Sequence, residues 1–222
     1  MDFDILDAGI IDFSAGLTLQ KEIHLRVKSG LSKSVLILCS HKPVFTSGRK
    51  LNYDNIIIKQ SVLKQLNIDI LQSDRGGDIT YHGPGQIIAY PIFNLKYVKK
   101  DIHLFLRSLE DTVIDLLKSF NIPGVKKPGF TGVWVGNNKI CSIGIGIRNW
   151  ITFHGLAFNV KHSDLKNFEF IKPCGLDVKM TSLESLLEKE VNMDIIKTKL
   201  ITSFKDNFLL LREGLYDKGN FA

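Results

Sequence analysis

The sequence predicts one α+β domain over residues 1–222, a mixed β-sheet packed with helices. Three observations carry this. Strand-like and helix-like segments alternate from end to end with no long polar linker. Between Ile102 and Phe120 apolar residues return every three or four positions, the period of one helical face. The second half reads as strand, hairpin, strand. With 222 residues, 44% of them hydrophobic and 23% charged, the chain can bury one sizeable core, and 18 Gly and 6 Pro supply turns without low complexity.

The elements follow in order. A strand around Phe3 to Asp7 precedes a helical segment from Ser14 to Lys28 that Gly30 stops. Val35 to Cys39 is a buried strand. Ile68 to Leu71 and Ile87 to Phe93 are strands that bracket the glycine-rich RGGDITYHGPGQ, which must contain a loop, a short strand and a tight turn. Asp101 caps the periodic helix of Ile102, Phe105, Leu106, Leu109, Val113, Leu116, Leu117 and Phe120, which ends near Pro123 and Gly124. GVWV, a turn at Gly136 to Asn138 and KICSIGIGI form a hairpin, and ITFHGLAFNV follows Arg148 and Asn149 as the next strand. Thr181 and Glu184 stand in the T-x-x-E relation of a reciprocal cap, so a helix starts there. A last helix begins after Asp194 and buries Ile196, Leu200, Phe204 and Phe208.

Composition removes several classes of function. No run approaches the ~20 apolar residues that cross a bilayer, so no membrane association is expected. The first residues carry Asp2, Asp4, Asp7 and Asp12, unlike a secretory or transit peptide, and the three cysteines, Cys39, Cys141 and Cys174, form no CxxC pair. A reducing cytoplasm is the expected location and no metal site is expected; His24, His41, His103 and His162 show no ligand spacing. The formal net charge is +6, yet the chain lacks a Lys/Arg stripe interleaved with aromatics, so nucleic acid is not an expected partner. Walker, GxGxxG and GxSxG motifs are missing.

Among the remaining residues, Cys174 in IKPCGL stands between Pro173, which fixes the backbone, and Gly175, which leaves space. Two readings are open: a small hydrophobe in a loop, or a thiol presented to a ligand. Cys39 and Cys141 lie in apolar strands and read as core. Lys139 emerges from a hairpin; it is either solvated or, if beside a thiol, able to favour the thiolate. His82 and His154 are either satisfied structural histidines or proton carriers.

RGGDITYHGPGQ, GVWVGNNKICSIG, FHGLAFNV and PCGL, in that order between about Arg49 and Leu187, resemble the lipoyl(octanoyl) transferase family. The resemblance implies the fold of biotin and lipoate protein ligase catalytic domains. It also implies transfer of an octanoyl group from octanoyl-acyl carrier protein to a lysine of lipoyl domains, those of 2-oxoacid dehydrogenase complexes and of the glycine cleavage H protein. Carried over by motif, Cys174 is the nucleophile and Lys139 its proton partner. The acyl pocket corresponds to Arg75, Gly76, Gly77, Asp78, Ile79, Thr80, Tyr81 and His82, to Ser142, Ile143 and Gly144, and to Gly155, Leu156 and Ala157. Ser47 departs from the pattern, which more often has Leu, and Asp78 occupies a variable position.

The implied chemistry needs no ATP and no other cofactor. Exchange of one thioester for another is nearly balanced, and conversion to an amide pulls the reaction forward. Backbone N–H groups near Gly76–Gly77 or Gly175 are the candidates for holding the oxyanion. An ATP-dependent lipoate or octanoate ligase on the same scaffold is the nearest alternative, and a non-catalytic module that binds lipoyl domains is the alternative of a different class.

Overall fold

In the computed structural model, which describes residues 3–49, 52–66, 68–98, 100–172 and 178–214, the apolar runs become the strands of one large sheet. Strand β1 (Phe3–Ile11) is joined through helix α1 (Phe13–Lys28) to β2 (Ser34–His41), its parallel neighbour. All eight residues of β2 are buried, as befits a strand covered on both faces. Beyond β2 every pairing is antiparallel: β6 (Gln86–Ile92), β10 (Ile151–Asn159), β9 (Asn138–Arg148), β8 (Gly132–Val135) and β7 (Gly124–Val125). The order is β1-β2-β6-β10-β9-β8-β7. The mixed sheet is therefore observed, with β6 inserted between strands far from it in sequence.

A second sheet, not foreseen, has the order β4-β3-β5, from β4 (Asp69–Gln72), β3 (Val44–Ser47) and β5 (Thr80–His82), with the short helix α2 (Gln60–Gln65) between β3 and β4. Its β5 is the short strand expected inside RGGDITYHGPGQ.

One face of the large sheet carries α3 (Ile102–Lys118) and α5 (Met193–Glu213). Their apolar stripes meet Leu36, Leu38, Ile87, Leu156 and Phe158, and each such fully buried side chain is worth about 1.5–3 kcal/mol. On the other face α1 covers only part: Ile23 and Val27 pack on Ile37, Ile88 and Ile92. The rest of that face, over β9 and β10, looks toward the small sheet.

The helix caps agree with expectation once and differ twice. The Asp101 carboxylate accepts from the N–H groups of His103 and Leu104 at 3.0 and 3.1 Å, as the sequence predicts. At Thr181–Glu184 the reciprocal cap does not form. Glu184 turns away to accept from the Lys161 ammonium at 2.7 Å and the Val191 N–H at 3.1 Å, and the Thr181 N–H is taken by the Lys139 carbonyl at 2.9 Å. Ser182 caps α4 (Leu183–Leu187) instead, its hydroxyl accepting from Ser185 N–H at 3.2 Å. Helix α5 starts at Met193 rather than after Asp194, because the Asn192 side chain caps it, accepting from the N–H groups of Asp194 and Ile195. Asp194 then lies in the first turn, where the helix dipole favours a carboxylate.

Candidate active site

Between the uncovered sheet face and the segment Arg75–His82 lies a cavity of about 570 Å³. Its floor follows from strand register. Gly132 pairs with Ser142, Ser142 with Ala157, and Ala157 with Ile88, so these four stand in one row across β8, β9, β10 and β6. In the next row Gly144 pairs with Gly155. Small residues on two adjacent strands leave a trough where larger side chains would fill the space.

The roof is the RGG loop. The Gly76 N–H donates to the Ile145 carbonyl of β9 at 3.2 Å, which holds the loop close to the floor. At Gly144 a Cβ would sit 2.9 Å from the Gly76 carbonyl oxygen, so this close approach requires glycine. Arg75 is buried, and its guanidinium donates to the Thr46 carbonyl at 2.5 Å and hydroxyl at 3.1 Å, tying the roof to β3. Asp78 turns its carboxylate toward the N–H groups of Asn52 and Ile79 and the Asn55 amide, so it orders the loop.

At one end of the cavity stands Lys139, 8% exposed, with Nζ 4.9 Å from the centre of the Trp134 ring, a cation–π distance. Its stem runs along β8 toward Gly132, where a Cβ would come within 2.6 Å of Lys139 Cε and 3.2 Å of Nζ. Gly132 also has a φ of +134°, and its N–H donates to the buried Glu110 carboxylate at 3.0 Å. The ammonium is thus brought level with the Ser142–Ala157–Ile88 row.

The far end is closed by Phe13, His82, Ile88 and Tyr90. His82 is held neutral by burial, reinforced by the nearby His41 and the Arg75 charge. Its Nδ1 donates to the Gln86 side-chain oxygen at 3.2 Å. The Gln86 amide donates to Asn159 at 2.8 Å, and Asn159 donates to the Thr181 carbonyl at 3.0 Å. Since Thr181 N–H bonds to Lys139, this buried chain links both ends of the cavity.

His154 lines the cavity from β10 with a φ of +55°. Its N–H donates to Gln20 at 2.7 Å and its Nε2 to the Asp74 carboxylate at 2.9 Å, so it clips the residue preceding Arg75 to the sheet. Burial lowers its pKa against the opposing pull of Asp74.

The residues implied by the motifs are therefore largely brought together: Arg75–Thr80, His82, Lys139, Ser142–Gly144 and Gly155–Ala157 all border the cavity. Tyr81 does not. Strand alternation in β5 turns it to the opposite side, where it packs on Phe45 and Phe168 with ring centres 5.5 and 5.6 Å away. Cys174 lies outside the described residues. The next described residue after its segment, Val178, lines the cavity, and the Lys179 carbonyl accepts the Lys139 N–H at 2.8 Å. Cys39 and Cys141 are core thiols as expected; burial pushes the Cys39 pKa up to about 12 and raises that of Cys141 further. Phe13, Ile88, Tyr90 and Trp134 were not singled out from the sequence, because each looks there like an ordinary apolar residue of a helix or strand.

Comparison with known proteins agrees with this arrangement. Residues 12–205 match the model of the lipoyl protein ligase A/B catalytic domain. The chain is 44% identical over 209 residues to an octanoyltransferase of Thermoanaerobacter sp. (strain X514), covering 92% of this chain and 90% of that protein. It is 36% identical over 220 residues to an octanoyltransferase of Desulforamulus reducens, covering 98% and 96%. A lipoate-protein ligase A bound with ATP shares the fold, with a TM-score of 0.76 at 16% identity over 98% of this chain and 95% of that one. Biotin protein ligase from Aquifex aeolicus shares it more distantly, with a TM-score of 0.59 at 12% identity over 96% and 72%. With a family model that spans most of its length and octanoyltransferases as near relatives, this chain belongs to the lipoyl protein ligase A/B catalytic domain family, on its octanoyltransferase side.

Proposed function

We propose that the protein is an octanoyltransferase acting in protein lipoylation, which moves an octanoyl group from a thioester donor to a lysine of a lipoyl domain. The observation that carries this reading is a trough of glycines, Ser142 and Ala157 with the buried ammonium of Lys139 at one end. It suits an apolar chain whose reacting carbon stays beside Lys139. Each methylene buried there contributes about 0.8 kcal/mol.

The donor is octanoyl-acyl carrier protein and the nucleophile Cys174. The Cys174 thiolate attacks the donor thioester carbon. Collapse of the tetrahedral intermediate breaks the bond to the carrier's sulfur, which leaves with a proton from Lys139. The acceptor lysine amine then attacks the acyl-cysteine, an amide forms, Cys174 departs as thiolate, and Lys139 recovers a proton from the amine. Acceptors are the lipoyl domains of 2-oxoacid dehydrogenase complexes and the glycine cleavage H protein. The isolated cysteines suit a cytoplasmic enzyme.

Incubation with octanoyl-acyl carrier protein in the absence of ATP, followed by intact-protein mass spectrometry, tests the reading. The expected result is one octanoyl group on the protein, released by hydroxylamine and lost in Cys174→Ala. Modification of a lipoyl domain only with free octanoate and ATP would support the ligase reading instead.

A further inference from the structure

We propose that Tyr90, pinned by His41, is the stop that limits acyl chain length, a proposal that rests on the octanoyl-transfer reading above. The row Gly132, Ser142, Ala157, Ile88 runs across the sheet from the Lys139 ammonium to β6. From β8 to β6 there are three strand spacings, about 14 Å in all. An eight-carbon acyl chain, rising ~1.25 Å per C–C bond of ~1.5 Å, extends about 9 Å. Placed about 3 Å from Nζ, a hydrogen-bond approach, it ends in contact with side chains on β6. Two further methylenes add about 2.5 Å and, for a chain lying over the Gly144–Gly155 row, would have to enter the Tyr90 ring, which the β10–β6 register places opposite Gly155.

Tyr90 is two residues beyond Ile88 on the same face, 5% exposed, and borders the cavity with Phe13 and His82. It is not free to swing aside. The Ile11 carbonyl lies 3.1 Å from His41 Nδ1 and can only accept, so Nδ1 carries the proton and Nε2 accepts the Tyr90 hydroxyl at 2.7 Å. His41 in turn is wedged against Phe13, ring centres 5.3 Å apart, and against α1, where a Cβ at Gly16 would come within 2.9 Å of its ring. The wall is therefore backed by a helix and by hydrogen bonds, whereas the floor leading to it is made of Ser142, Gly144, Gly155 and Ala157.

The test uses acyl-carrier-protein thioesters of six, eight, ten and twelve carbons, with single-turnover acylation followed by mass spectrometry. For the wild-type protein kcat/KM should rise about fourfold per methylene up to eight carbons and then fall. A rise continuing to twelve carbons overturns the proposal without any variant. In Tyr90→Leu the ten-to-eight carbon ratio should increase about fifteenfold, two methylenes being newly accommodated, while Tyr90→Phe, which keeps the ring but loses the bond to His41, should raise it by less. The ratio is taken within one sample, so a reduced folded fraction cancels. An unchanged ratio in Tyr90→Leu overturns the stop while leaving octanoyl transfer standing; no acylation at any length by the wild-type protein overturns both.

Discussion

Gly144→Ala probes the closest contact between roof and floor. The new Cβ would lie 2.9 Å from the Gly76 carbonyl oxygen and 3.5 Å from Arg75 Cδ. Carbon and oxygen settle no closer than about 3.3 Å, so the loop must retreat by ~0.4 Å. The Gly76 N–H to Ile145 bond, 3.2 Å in the native protein, would then reach about 3.6 Å, beyond a useful hydrogen bond. Losing that bond costs about 1 kcal/mol, and overpacking adds about 1–2 kcal/mol. At ~2–4 °C per kcal/mol for a domain of this size, the melting temperature should fall by about 4–12 °C. The added methyl also stands in the trough, so kcat/KM should drop about tenfold or more for an octanoyl thioester and less for a butanoyl one. Differential scanning calorimetry and acylation with both donors measure these effects. A variant that melts within ~1 °C of wild type and acylates at the wild-type rate would refute the argument that the loop is seated directly on Gly144.

Further outcomes are expected. Lys139→Met keeps the volume of the stem and removes the proton carrier, so the acylation rate should fall by about 10²–10⁴ with little change in melting temperature; single-turnover kinetics would show it, and a loss under tenfold would count against the assigned role. Cys39→Ala and Cys141→Ala should keep the acyl-enzyme, since both thiols are buried with raised pKa values, whereas Cys174→Ala should lose it; peptide mapping that finds the adduct on Cys141 would overturn the assignment. His41, His82 and His154 all have lowered pKa values in the fold, so their contribution to stability is complete above the unfolded value of about 6.5 and is lost as pH falls from there through their folded values. Melting temperature should therefore drop between about pH 7 and pH 5, and a flat profile there would contradict the neutral state of these imidazoles.

What the sequence determined by itself was local. The helix from Ile102 to Lys118 is legible because its apolar residues repeat with the helical period and Asp101 can reach the first free N–H groups. The β9–β10 pair is legible because an apolar alternation runs on both sides of Arg148–Ile151. The motifs around Arg75, Lys139 and Gly155 were legible through their resemblance to the lipoyl(octanoyl) transferase family; taken singly, a glycine-rich loop reads as well as a structural turn, and a lysine leaving a hairpin as a solvated side chain. Tertiary structure decided the rest. Strand order put β6 beside β10, and only that pairing aligns Ile88 with Ala157 and brings Tyr90 to the end of a trough that begins at Lys139. The direction of Tyr81 depended on β5 joining a second sheet, and the failure of Thr181 as a cap depended on a carbonyl from β9. Propensity and periodicity act over a few residues, so they specify which face of an element is apolar. Which elements those faces meet is settled by packing between segments tens of residues apart, and that packing made the cavity.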